Sequence, residues 1–357
     1  MGPAASASEA WRAVRQWRPP RSLRGAVRLV IVLLIVEYLL VPQLAGTRKS
    51  WHLLVGVNNA WLAAATALEV ASLAAYGLLS RAVLPPGPNL PSFWTLMRID
   101  LATLAVSHVV PAGSAVGLGL GYRLLTQAGV RGGDAVIAKA TQAVGSAVVL
   151  NIMLLVALVV AIPLHGFNAI FGTVVVIGIL LLAGAAAVVV LLTRGEERAA
   201  ALLGRQLGRL PGLDEQKVRN ALYAVAEHVQ RFIADRRLLR WTAGLAALNW
   251  LLDAAALWCC IRSFGYALGP DELLVTYGIA GVIAALPFTP AGIGIVEGFL
   301  IPALVGFGVP RGIAILGVLG WRALNFLLPI PLGALAYLSL LRPHPRDDRP
   351  QAGAAPS

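Results

Sequence analysis

The 357-residue chain predicts an all-α, polytopic membrane protein with about six spanning helices and two re-entrant, broken-helix segments. Three observations carry that expectation. First, 58% of the residues are hydrophobic and 13% charged, with a mean hydropathy of +0.76, whereas an average soluble domain is roughly 25% charged. Second, apolar runs recur near 26–44, 51–79, 135–162, 168–193, 239–264 and 311–341, close to the about 20 residues that cross a bilayer core. Third, 95–125 and 272–308 are long and apolar but broken by proline and glycine. Lipid tolerates such breaks only where protein or a water-filled cavity satisfies the freed backbone groups.

Charge gives each run a direction. Arg12, Arg15, Arg18, Arg21, Arg24 and Arg28 lie in or just past a basic segment, 1–25, which the positive-inside bias places in the cytoplasm. The same bias accounts for the net charge of +12 without a nucleic-acid partner. A cleaved signal peptide fits Leu44-Ala45-Gly46 loosely, but the first apolar run reaches transmembrane length. Arg81 and Arg98, then Arg131 and Lys139, mark inner ends, so 95–125 enters and leaves on one face, as paired half-helices or a tight hairpin turning at Pro111-Ala112-Gly113.

The stretch 194–240 holds ten basic and six acidic residues and also reads as cytoplasmic. Within the connector 194–238, Pro211-Gly212 makes a break and Asp214 an N-cap. Val218, Leu222, Val225, Val229 and Phe232 then form one apolar helical face, suited to the inner membrane surface or to the bundle. Next, 239–264 runs outward and 311–341 returns to Arg342, Arg346 and Arg349, so 272–308 opens outward with Pro290-Ala291-Gly292 near its turn. The tail 342–357, rich in proline, alanine and charge, is expected to be disordered and cytoplasmic.

The two breaks share Pro-Ala-Gly and enter from opposite faces. An unbroken helix precedes and follows each, which suggests inverted repeats over 51–162 and 239–341 within one transmembrane domain, 26–341. Broken helices so placed meet near the midplane and present their ends to a substrate. Gly113 with Gly117, and Gly294 with Gly298, have the spacing of close helix packing.

Charges inside apolar runs cost about 2.5–3.5 kcal/mol on insertion scales and call for partners. Glu69, Asp253, Glu297 and Arg322 are the candidates. Arg322 lies eleven residues past Arg311, roughly 16 Å into the bilayer at 1.5 Å per residue, too deep to snorkel. Its expected partner is Glu297 on the preceding segment, either as a packing ion pair or as a site where Arg322 and a half-helix N-terminus near Gly292 attract an anionic headgroup. Asn325, one turn on, adds a hydrogen bond, between helices or at the site. Glu69 and Asp253 are expected to pair with Arg123, Lys139 or Arg262, or to carry a proton in coupled transport.

Much chemistry is not indicated. Cys259 and Cys260 are adjacent in an apolar run, and the five histidines are scattered, so neither disulfide nor metal spacing appears. Gly292-Ile293-Gly294 lacks a surrounding βαβ unit, and no phosphate-binding Gly-x-x-x-x-Gly-Lys loop occurs. No cofactor, metal, direct ATP drive or catalytic role is expected.

The core Pro287, Thr289, Pro290, Gly292, Gly294 and Glu297, followed by Gly308-Val309, Arg322 and Leu328 to Gly333, resembles the lysylphosphatidylglycerol synthase transmembrane-region family. The first repeat resembles it through Pro111 to Gly113, Gly121 to Leu125 with Arg123, and Gly129-Val130. Ala291 departs from the glycine common in that family. The resemblance implies a helical domain that moves or accommodates a lipid, an anionic phospholipid or a polyprenyl-linked one. It also implies that this chain, ending at residue 357, lacks the soluble aminoacyl-transfer domain of bifunctional members. The expectation is a flippase-like protein of the cell membrane with both termini cytoplasmic. Its partners are membrane lipids and either a separate lipid-modifying enzyme or a second copy of itself. The alternatives are an intramembrane headgroup or glycosyl transferase, and a non-transporting scaffold of an envelope-synthesis complex.

Overall fold

A computed structural model describes residues 56–87, 90–110, 113–166, 169–194, 234–284 and 294–341, with positions 227, 230 and 292. The expected first span at 26–44, the basic segment 1–25, most of the connector 194–238 and the tail 342–357 lie outside the described residues. All regular structure among the described residues is helical.

Helix α1 (Asn59–Ala82) starts at Asn58, whose side chain accepts from the Ala60 N–H at 3.0 Å. Helix α2 (Phe93–Val109) is capped by Ser92 in the same way, and α3 (Gly113–Gln127) follows after the break. Helices α4 (Gly132–His165) and α5 (Ala169–Arg194) complete the first half. The second half opens with α6 (Arg236–Arg262), where Asp235 accepts from two backbone N–H groups, and continues with α7 (Pro270–Ala284) and α8 (Ile295–Gly306). It closes with α9 (Arg311–Arg322), a π-helical turn at Ala323–Leu327 and α10 (Pro329–Leu340).

Five segments are long and apolar enough to span: α1, α4, Phe171–Val190 of α5, α6, and Arg311–Leu340 across the π turn. They coincide with five of the six runs read from the sequence. Helices α2, α3, α7 and α8 have 17, 15, 15 and 12 residues. At about 1.5 Å per residue these reach roughly 18–26 Å, short of a bilayer core of about 30 Å.

Helices α1 and α6 pack antiparallel along their length. The Asn58 N–H bonds the Ser263 carbonyl at one end, Trp61 meets Trp258 edge-to-face, and at mid-length Ser72 and Asn249 exchange bonds of 2.8–3.1 Å. Around that pair the contacts mirror each other: α2 packs on α10 and on α3, while α7 packs on α4 and on α8. Glycines allow both close approaches. A Cβ on Gly333 would strike Leu101 of α2, and one on Gly281 would lie 2.8 Å from Leu150 of α4. Helices α3 and α8 also end alike. Gly129 and Gly308 take positive φ, and the N–H groups of the following valines, Val130 and Val309, reach back five residues to Leu125 and Leu304.

In the first hairpin Gly113 and Gly117 lie against Ser107, and Gly121 against Thr103, where any Cβ would crowd α2. That is the close packing their spacing suggests. For Gly294 and Gly298 no such packing is seen among the described residues: a Cβ there would meet nothing within 4 Å. Gly294 is instead required by its φ of +80° just before α8, and Gly292 by a φ of +71° and by Val296 and Ala284 beside it.

Helix α5 packs on α4, and only 6% of its apolar window is buried, against 50% for α6. Its exposed Val176, Ile179, Leu180 and Val188 suit hydrocarbon, whereas α6 forms the centre. Beyond the apolar region, His165 Nε2 at the end of α4 sits 2.7 Å from Asp271 Oδ2 at the start of α7. Desolvation pushes the Asp271 carboxyl up, but hydrogen bonds from His165 and from the N–H groups of Asp271 and Glu272 outweigh it and hold it below its ordinary value. A depressed carboxylate adds stability above its unfolded pKa and loses it as pH falls through the folded one. The thermal midpoint in detergent is therefore expected to drop below about pH 4, and Asp271→Asn to flatten that drop. An equally steep drop in the variant refutes the linkage.

Candidate functional site

Between the two halves lies a cavity of about 420 Å³. Its wall comes from α1 (Glu69, Ser72), α2 (Asp100, Ser107, His108), α4 (Ser146), α6 (Asn249, Asp253), α7 (Tyr277), α9 (Trp321, Arg322) and the π turn (Asn325). Apolar side chains such as Leu104, Leu150 and Val296 fill the spaces between these groups.

Arg322 ends α9 and is buried to 9% exposure. Its Nε forms an ion pair with Oε1 of Glu297, and its guanidinium carbon lies 5.3 Å from the Trp321 ring centre and 5.9 Å from that of Phe326. The ion pair is a contact of charges: neither Nε nor Nη2 has an acceptor in hydrogen-bond geometry among the described residues. Glu297 is held from its other side, where Oε2 accepts from the Gly294 N–H at 2.7 Å. That bond ties an N3 glutamate to the N-cap residue, so one carboxylate starts α8 and aims at Arg322.

The π turn follows from local chemistry. Pro329 has no N–H, and its ring crowds the carbonyl four residues back; the turn before it widens so that the Leu328 N–H bonds the Ala323 carbonyl. The Phe326 carbonyl lies 3.2 Å from His108 Nδ1, and the two rings stack at 4.5 Å. A residue next to the first break thus touches the arginine's neighbour in the other half.

The acids lie beside this group. Asp253 Oδ1 accepts from Trp321 Nε1 at 2.6 Å, and Oδ2 from the Tyr277 hydroxyl at 2.7 Å and Asn325 Nδ2 at 3.1 Å. Asn325 Nδ2 also reaches Glu69 Oε1 at 3.3 Å. Glu69 is 2% exposed, and its Oε2 has no partner among the described residues. Two carboxylates from crossing helices therefore share one amide.

A second buried network joins α1, α2 and α4. Lys139 Nζ donates to Asp100 Oδ1 at 2.6 Å and Gln142 Oε1 at 3.0 Å, Ser80 donates to Asp100 Oδ2 at 2.6 Å, and Gln142 Nε2 to Ser80 at 2.6 Å. This corrects the use of Lys139 as a marker of the inner face: the ammonium is buried in a neutralising pair.

Of the residues singled out from sequence, Glu69, Asp253, Arg322 and Asn325 line the cavity, with Glu297 behind Arg322. Gly113, Gly292 and Gly294 shape the backbone near it. Pro111, Pro287, Thr289 and Pro290 lie outside the described residues. Arg123 is exposed on α3 and is absent from the wall. The pairing of Glu69 or Asp253 with Arg123, Lys139 or Arg262 gives way to their bridge through Asn325. Sequence reasoning missed Asp100, His108, Tyr277 and Trp321. An acid well inside an apolar run, the rule applied to Glu69, would have found Asp100 on α2; the other three carry no comparable signal.

Long apolar helices, short paired ones and charged groups gathered inside define an all-α, multi-pass membrane protein with an internal polar site. The chain belongs to the family described as the lysylphosphatidylglycerol synthase TM region, whose profile matches residues 25–333. It is 33% identical over 125 residues to the inner membrane protein YbhN of Escherichia coli K12, covering 33% of this chain and 38% of that one. It is 21% identical over 122 residues to a UPF0104 membrane protein of Methanothermobacter thermautotrophicus, covering 34% of this chain and 36% of that one. The matches span little more than a third of either relative.

Proposed function

We propose that this protein translocates an anionic lipid, with the phosphate held at Arg322. The observation that carries the reading is a buried guanidinium on a cavity wall whose Nε is taken by the ion pair with Glu297 and whose Nη2 lacks a hydrogen-bond acceptor among the described residues. A phosphodiester offers the acceptor geometry that a guanidinium fork matches. The family's description names lysylphosphatidylglycerol, which makes phosphatidylglycerol the first lipid to try and leaves polyprenyl-linked phosphates as the next.

The mirrored packing of α2 on α10 and α7 on α4 supports inverted repeats, as does the antiparallel α1–α6 pair. Each hairpin then dips from one face, with both termini cytoplasmic, and the cavity stands where the two meet. The reading is of lipid handling and not of catalysis, with membrane lipids as the partners.

The test is movement of fluorescent phosphatidylglycerol between leaflets of proteoliposomes, read by quenching from outside. Faster exchange than in protein-free vesicles is expected. An equal rate, for this lipid and for a polyprenyl phosphate, overturns the reading.

A further inference from the structure

We propose that Glu69 is a proton-binding site coupled to the anion site at Arg322, so that the lipid enters together with a proton. The inference rests on the anionic-lipid reading above and follows from counting charges and donors around the cavity. Lys139 balances Asp100, and Glu297 balances Arg322. Glu69 and Asp253 remain, giving two further negative charges in the same enclosure if both are ionised.

Their surroundings differ. Asp253 accepts from an indole, a hydroxyl and an amide, three donors on its two oxygens. Glu69 has the shared amide, at 3.3 Å, a direct contact with the Asp253 carboxyl that one proton between them would turn into a hydrogen bond, and a buried Oε2 without a donor among the described residues. An ionised, half-satisfied carboxylate beside a second one is the costly member of the pair. The other titratable or charged groups around this cavity are Tyr76 on α1, Asp253 and Cys260 on α6, Asp100 and His108 on α2, Lys139 on α4, Tyr277 on α7 and Arg322 on α9.

The step is a simple protonation. A proton from bulk solvent joins the Glu69 carboxylate, and the acid returns it when the anion leaves. With Glu69 neutral, the wall loses one negative charge and an incoming phosphodiester is repelled less. Protonation and anion binding then favour each other, as linkage requires.

Calorimetry of the full chain with dihexanoyl-phosphatidylglycerol, in buffers of different ionisation enthalpy, tests this. Wild type is expected to take up a proton on binding and to bind about tenfold tighter at pH 5.5 than at pH 8.5, within the usual range of coupling. Glu69→Gln, near-isosteric, is expected to bind tightly at both pH values with no proton uptake. A variant that keeps the wild-type pH dependence overturns the proposal, as does a wild type without any, and both leave the lipid reading standing. If wild type binds no lipid, that reading falls and infrared difference spectra decide the proton site. A protonated-carboxyl band that titrates in wild type and is missing from Glu69→Gln sustains it; an unchanged band refutes it.

Discussion

Replacing Arg322 with glutamine is expected to abolish measurable binding of phosphatidylglycerol, while replacing Glu297 with glutamine is expected to tighten it. Losing a charged partner from a desolvated pair costs about 2–5 kcal/mol, roughly 30-fold to several thousandfold in Kd. The opposite signs separate a binding site from a packing bridge. If the Arg322–Glu297 pair only held helices together, both variants would lose function through the same loss of structure. In Glu297→Gln the new side chain retains an oxygen that can accept from the Gly294 N–H, so the start of α8 survives the change. What the substitution removes is the negative charge paired with the guanidinium, which on the proposed reading competes with the lipid. Titration of both variants with soluble phosphatidylglycerol, after matching their thermal midpoints, reads the result. Equal affinity in wild type and Arg322→Gln assigns the cavity to something other than this anion.

The pair was legible from the sequence because depth can be counted. Arg322 stands too far into an apolar run to snorkel to the membrane surface, and Glu297 is the nearest acid across a short connection. Five spans were legible for a similar reason: hydrocarbon thickness sets a length, and composition shows it. Side-chain direction was not legible. Counting gives the height of Glu69 and Asp253, but only the antiparallel crossing of α1 and α6 turns them toward each other and toward Asn325. Lys139 shows the limit more sharply. Following Arg131 closely in the chain, it reads as part of a cytoplasmic basic flank, yet α4 begins at Gly132 and carries it inward to Asp100. A single lysine near a helix start marks topology or a buried pair equally well until its facing residue is known. The π turn was hidden too, although Pro329 and Pro331 are visible, because proline announces a disturbance without saying whether the helix kinks, breaks or widens.

Lys139→Met is expected to be the most destabilising single change in the first half, and adding Asp100→Leu is expected to recover much of the loss. Removing one member of a buried ion pair costs about 3–5 kcal/mol, because the remaining charge keeps its desolvation penalty without its partner. Asp100 would retain only the Ser80 hydroxyl, with both carboxylate oxygens held in a site 7% exposed. Methionine fills the lysine's volume, so the loss reports charge and not a cavity. Leucine in place of Asp100 then removes the orphaned charge, and apolar replacement of a whole buried pair is often neutral. Thermal midpoints of the single and double variants in one detergent give the comparison. A double variant no better than Lys139→Met would mean that the network's worth lies in the bonds to Ser80 and Gln142, which tie α1 to α4 across α2. Recovery would make the ion pair the first half's counterpart of Arg322 and Glu297: a cation buried beside the cavity and neutralised by one carboxylate. The difference lies in where the donors point, since the Lys139 ammonium spends its hydrogen bonds on Asp100 and Gln142 while Nη2 of the Arg322 guanidinium has no acceptor among the described residues.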